Sequence, residues 1–109
     1  MAKRQYKAAV SASVAKAFTD IGSTEILRVK YIAWNNKTAN AGGTLTFENE
    51  SGAEDFYRIS LDIAGSSGQV WFEDDGYELT KGKDIKITLS GGTTDCWVNI
   101  DCESRTALQ

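Results

Sequence analysis

From residue 26 onward the chain repeats one pattern, a short run in which apolar and polar residues alternate, followed by a cluster of Gly, Asn, Asp or Ser. Leu27, Val29, Tyr31 and Ala33 alternate with Arg28, Lys30 and Ile32 up to Trp34. Leu45 and Phe47 alternate within Thr44 to Glu48, and Ile59, Leu61 and Ile63 alternate with Arg58, Ser60 and Asp62. Ile85, Ile87 and Leu89 alternate with Asp84, Lys86 and Thr88, and the run from Cys96 to Cys102 alternates throughout. A period of two is the signature of a strand with one dry face, because successive side chains leave a strand on opposite sides. The separators around Gly42-Gly43, Gly52, Gly65, Asp74-Asp75-Gly76, Gly82 and Gly91-Gly92 supply the backbone freedom that tight reversals require. Val70-Trp71-Phe72 makes a further short strand, apolar on both faces, for which burial of Trp71 is favoured over an interface role. Six or seven such strands without a secure helix predict an all-β fold, an antiparallel two-sheet sandwich of jelly-roll type.

The first part of the chain admits two registers. Val10, Val14, Phe18 and Ile21 fall at helical intervals, while Val10, Ala12, Val14 and Phe18 also fit one face of a strand. The alanine content favours helix and the β context downstream favours an extended segment. The extended reading is adopted here, giving one domain over 1–109: an N-terminal arm or first strand (1–24), the sandwich (25–103) and a loose tail (104–109).

Composition narrows the chemistry. The 109 residues include no histidine, so neither a Ser/His/Asp nor a Cys/His nucleophile system can be built, nor any His-ligated metal centre. The two cysteines cannot form a four-thiolate site. Six residues of extended chain hold Cys96 and Cys102 about 20 Å apart, beyond the reach of a disulfide, so they read as buried small hydrophobes in a reducing compartment. The acidic turn Glu73-Asp74-Asp75 lacks the spacing of a calcium loop and reads as solvated. The residues suggest no cofactor, no metal and no enzyme. A formal net charge of -3 disfavours a nucleic-acid partner, and no run is long and apolar enough to span a membrane as a helix. Residues 8–18 follow basic residues but are interrupted by Ser11, Ser13 and Lys16, a poor match to a signal peptide, so the chain is read as unprocessed.

The later part of the chain, Val70-Trp71-Phe72-Glu73, Gly76-Tyr77-Glu78-Leu79, Lys81 to Thr93 and Val98 to Glu103, resembles the small single-domain β-sandwich proteins of tailed-bacteriophage virions. Phe18-Thr19-Asp20-Ile21-Gly22 followed by Ile26 to Asn36 resembles the opening of such proteins. The resemblance implies a virion structural protein without catalytic residues, of the capsid-decoration or cement type. Such a protein would assemble in the host cytoplasm, bind the exterior of the head lattice as a homotrimer and have the major capsid protein as its partner. The competing reading is a carbohydrate-binding module, or a head-fibre or tail component, that uses an exposed tryptophan as a platform.

Six residues carry the candidate interface. Lys3, Arg4, Tyr6 and Lys7 form a basic N-terminal segment that either drapes over an acidic neighbour or remains a solvated tail. Trp34 and Trp97 fall opposite the main apolar set of their strands or at a strand end, where tryptophan serves an interface, a cover over the sheet edge or a sugar platform.

Overall fold

A computed structural model describes residues 2–36, 43–50, 54–61, 67–73, 76–90 and 96–107. Eight strands follow one another: β1 (Ala2–Val10), β2 (Glu25–Asn36), β3 (Gly43–Asn49), β4 (Glu54–Leu61), β5 (Ser67–Trp71), β6 (Tyr77–Glu78), β7 (Ile85–Ser90) and β8 (Cys96–Thr106). They form two antiparallel sheets, one of five strands in the order β1-β8-β2-β5 with β6 also on β2, the other in the order β4-β3-β7. The expected two-sheet sandwich is the observed fold, and no helix occurs among the described residues.

The inner faces of both sheets supply the core. Leu27, Val29, Ile32, Val98 and Ile100 from the larger sheet meet Leu45, Phe47, Leu61, Ile85 and Ile87 from the smaller, all fully buried. Aromatic rings close the end near β4, where Phe56 stacks on Tyr77 with centroids 4.5 Å apart and Tyr57 meets Phe72 edge to face. Cys96 and Cys102 are both buried free thiols on this inner face, as their spacing requires. Burial pushes the Cys102 thiol well above its ordinary range, with the Asp84 and Asp101 carboxylates adding to the effect.

Three sequence expectations are narrowed or changed on folding. First, of the arm and first-strand alternatives for the N-terminal segment, residues 2–10 take the second: β1 pairs with β8 along its whole length, from Ala2 opposite Ser104 to Val10 opposite Cys96, and is not a solvated tail. The chain then crosses to the smaller sheet, where Val14 bridges Ile87 and the Ala17 N–H donates to the Ile85 carbonyl. Second, β8 continues beyond Glu103 to Thr106, with Ser104 buried, so the tail begins later than expected because β1 and β2 pair with it on both sides.

Third, β2 does not keep one face. Its register against β8 shifts between Val29 and Tyr31, which leaves Lys30 as the extra residue of a β-bulge. Before the bulge Leu27 and Val29 point inward. After it Ile32, Trp34 and Asn36 do, and Tyr31 and Ala33 turn outward. Gly76 folds the chain back beside this irregularity at φ 87°, where a β-carbon would lie 2.3 Å from the Val29 carbonyl oxygen.

Asp84 ties the crossover to the sandwich. It is fully buried, and its two carboxylate oxygens accept separately from the N–H groups of Phe18 (2.9 Å) and Ile85 (2.7 Å). Burial pushes its carboxyl up to about 6; the two N–H donors oppose this, Glu50 adds to it and Lys16 reduces it.

Candidate functional site: the outer face of the five-stranded sheet

The two sheets present unlike faces to solvent. On the smaller sheet, cross-strand pairing aligns Ser60, Thr44 and Ser90 in one row, Arg58, Thr46 and Thr88 in the next, and Asp55, Glu48 and Lys86 in the third. These are small hydroxyls and mutually paired charges. Thr88 Oγ1 donates to Glu48 Oε1 at 2.7 Å, and Arg58 pairs with Asp55 at 2.6 Å.

On the larger sheet, the bulge at Lys30 turns Tyr31 outward, directly opposite Trp71 of β5, and their ring centroids lie 4.2 Å apart. Trp71 keeps 67% of its surface exposed, the largest value among the large hydrophobics of the described residues. The Tyr31 hydroxyl donates to Gln69 Oε1, which holds the ring in place. The same row continues across the sheet, with Tyr31 opposite Asp101 and Asp101 opposite Gln5, whose Nε2 donates to Asp101 Oδ1 at 2.7 Å. Lys30, next to Tyr31 in sequence, and Asp101, opposite it, belong to the lining of an adjoining groove of about 410 Å³ that also includes Lys3 and Glu103. Asn99, one row away between Lys7 and Ala33, has a buried Oδ1 with no hydrogen-bond partner among the described residues.

The six sequence candidates divide between this face and the interior. Lys3 and Lys7 stand exposed on the outer face of β1, opposite Glu103 and Asn99. Trp97 is 37% exposed on the same face, across from Asn35 and Ala9. Arg4 and Tyr6 alternate to the other side. Arg4 pairs with Glu25 at 3.3 Å and with Asp20, and its guanidinium lies 5.7 Å from the centre of the Phe18 ring. Tyr6 meets Phe18 edge to face at 5.9 Å, and burial, aided by the Asp84 charge, raises its phenol above the ordinary value. Trp34 is half-buried and turned inward against Tyr57 at 6.0 Å, because the bulge inverts the strand before it is reached. Its ring lies so close to Gly68 that a β-carbon there would sit 2.7 Å from it.

Trp71, expected inside, is exposed, and Trp34, expected at an interface or a sheet edge, is turned inward. A signal for Trp71 was present in Ser67 and Gln69, which share its strand face and are themselves solvent-facing. At one corner of the face Glu78 accepts from Arg28 at 2.9 Å and Arg105 at 3.0 Å, and these two hydrogen bonds lower its carboxyl below the usual range.

Among the described residues no group of three or more metal-ligating side chains gathers. What the face can do is bind: it offers fixed aromatic area beside polar donors and acceptors. Comparison of the chain with protein-family models, with curated proteins and with solved structures returns no match.

Proposed function

We propose that this chain is a non-enzymatic virion protein of the capsid-decoration type, which assembles with copies of itself and binds the head lattice by surface contact. The observation that carries the reading is the charge and position of two of the edge strands, β1 and β4. β1 ends the five-stranded sheet, paired only with β8, and contains Lys3, Arg4 and Lys7 with no acidic residue. β4 ends the three-stranded sheet and opens with the exposed Glu54 and Asp55, which outnumber its one cation, Arg58, the partner of Asp55.

The two edges lie at opposite sides of the sandwich. The segment after β1 lies on β7, through Val14 and Ala17, whereas Phe56 and Tyr57 of β4 pack on Tyr77 and Phe72 at the far side. A basic edge facing one way and an acidic edge facing the other suit a head-to-tail contact between copies, the kind that closes into a ring. Such a ring, set on a symmetric lattice, multiplies a small footprint into firm attachment. The sequence resemblance to phage sandwich proteins supports the same reading.

Sedimentation of the purified protein with capsids stripped of it tests the proposal, with saturable binding expected. Binding that rises linearly without saturation would reject it. Sedimentation velocity of Lys3→Glu/Lys7→Glu against the unaltered protein tests the ring, since charge reversal on β1 is expected to shift the population toward monomer.

A further inference from the structure

The face beside those edges has a use that self-assembly does not explain. Trp71 is exposed yet immobilised against Tyr31, and an aromatic surface fixed in advance loses little conformational freedom when a ligand stacks on it. The row from Trp71 through Tyr31 and Asp101 to Gln5 crosses four strands, a span of about 14 Å at ordinary strand spacing. That length suits a short chain of rings rather than one small molecule.

Charge decides which chain. Arg4, at the rim of the groove, is engaged by Asp20 and Glu25. Lys3 on β1 and Lys30 on β2 then flank and balance Asp101 and Glu103 on β8 between them, so the groove has no net field to draw in a polyanion or a polycation. It offers carboxylate acceptors and ammonium donors at close quarters, next to the exposed ring of Trp71. That combination matches a ring with one C–H face and a rim of hydroxyls, which are donor and acceptor at once.

We infer that the Trp71–Tyr31 shelf and the adjoining groove bind a neutral oligosaccharide, with one pyranose ring stacked on Trp71 and hydroxyls of the next donating to Asp101 and Glu103 while accepting from Lys30. The site is independent of the capsid reading and stands or falls without it.

The test is titration of the purified protein, followed by tryptophan fluorescence and calorimetry, with neutral oligosaccharides of three to six units built from glucose, xylose, mannose, galactose or N-acetylglucosamine. Oligogalacturonate serves as the anionic control. At least one neutral series is expected to bind, with affinity little changed by added salt. Trp71→Ala should weaken it tenfold or more and Asp101→Asn severalfold, while both variants keep the unaltered circular dichroism spectrum. No binding by any neutral series at millimolar ligand overturns the inference, as does binding confined to oligogalacturonate and abolished by salt. Equal affinity in Trp71→Ala overturns it too, even where glycan binding itself is present.

Discussion

The two outward faces of this sandwich are built on one shared core and differ in what they do with the water side of the pleat. The three-stranded sheet exposes Thr44, Thr46, Thr88, Ser60 and Ser90 with charges that pair among themselves. The five-stranded sheet exposes Trp71, Tyr31 and Trp97 among amides and carboxylates. β-branched hydroxyl residues fit a solvated strand without inviting contact, whereas exposed aromatic rings retain area that only a partner can cover. The difference teaches that in a small sandwich the inner faces specify the fold, and one outer face is left available for binding.

That division can be broken from the inside first. Phe47, fully buried at the centre of the smaller sheet, packs the core beneath both faces. Phe47→Ala is expected to cost about 3–5 kcal/mol in chemical denaturation, and with it both the threonine face and the aromatic face. A loss below about 1 kcal/mol would mean that the sheets do not share a core.

Asp84 provides the next largest effect, and it depends on pH. Its folded-state carboxyl titrates at about 6, above its value in an unfolded chain, so the native state holds the proton more tightly. The stabilisation is complete below about pH 4 and is lost as pH rises through 6, a change of about 3 kcal/mol at most. Glu78 has the opposite sign: its lowered carboxyl stabilises above about pH 4.3, and that contribution fades as the pH falls below it. Because Glu78 is well exposed to solvent, its share is well under 1 kcal/mol. Urea titrations from pH 4 to pH 7 should therefore show stability declining with pH in the unaltered protein and nearly level in Asp84→Asn. A slope preserved in that variant would assign the effect elsewhere.

The outer faces themselves give the smallest stability changes and the clearest contrast. Trp71→Ala should change unfolding free energy by less than about 1 kcal/mol and Thr46→Ala by about 0.5 kcal/mol. The two should part in solution behaviour, with only Trp71→Ala altering ligand or partner binding. Identical effects from both substitutions would erase the distinction between the faces.

Much of the fold is legible in the sequence because alternation is a direct consequence of strand geometry. Leu45 and Phe47, Ile59 and Leu61, Ile85 and Ile87, and the run from Cys96 to Cys102 all lie as their spacing requires. What alternation cannot carry is a change of phase. Tyr31-Ile32-Ala33-Trp34 has an apolar residue at every position, so nothing in it reveals that Lys30 is the extra residue and that Ile32 rather than Tyr31 turns inward. Val70-Trp71-Phe72 is ambiguous for the same reason, being apolar at every position, and Trp71 takes its side from Tyr31 opposite it. Local pattern also leaves arm and first strand undivided at the N-terminus, because Lys3, Arg4 and Lys7 look solvated until β8 supplies the backbone partners that make them a strand. The candidate site was thus half visible. Lys3, Lys7 and Trp97 reach the outer face, and Trp34 yields its expected place to Trp71.

The irregularity at Lys30 also bears on how such a protein can change over generations. Point substitutions on the outer face can drift freely, each altering one contact. Loss of the single codon for Lys30 would remove only the extra residue, leaving Val29 and Ile32 inward and Tyr31 outward in unbroken alternation, whereas a residue added to β2 away from the bulge would turn the side chains beyond it to the opposite face. The lineage is therefore free to vary the outer face by substitution and to lose this one residue, while additions elsewhere in the strand are barred by the core they would invert.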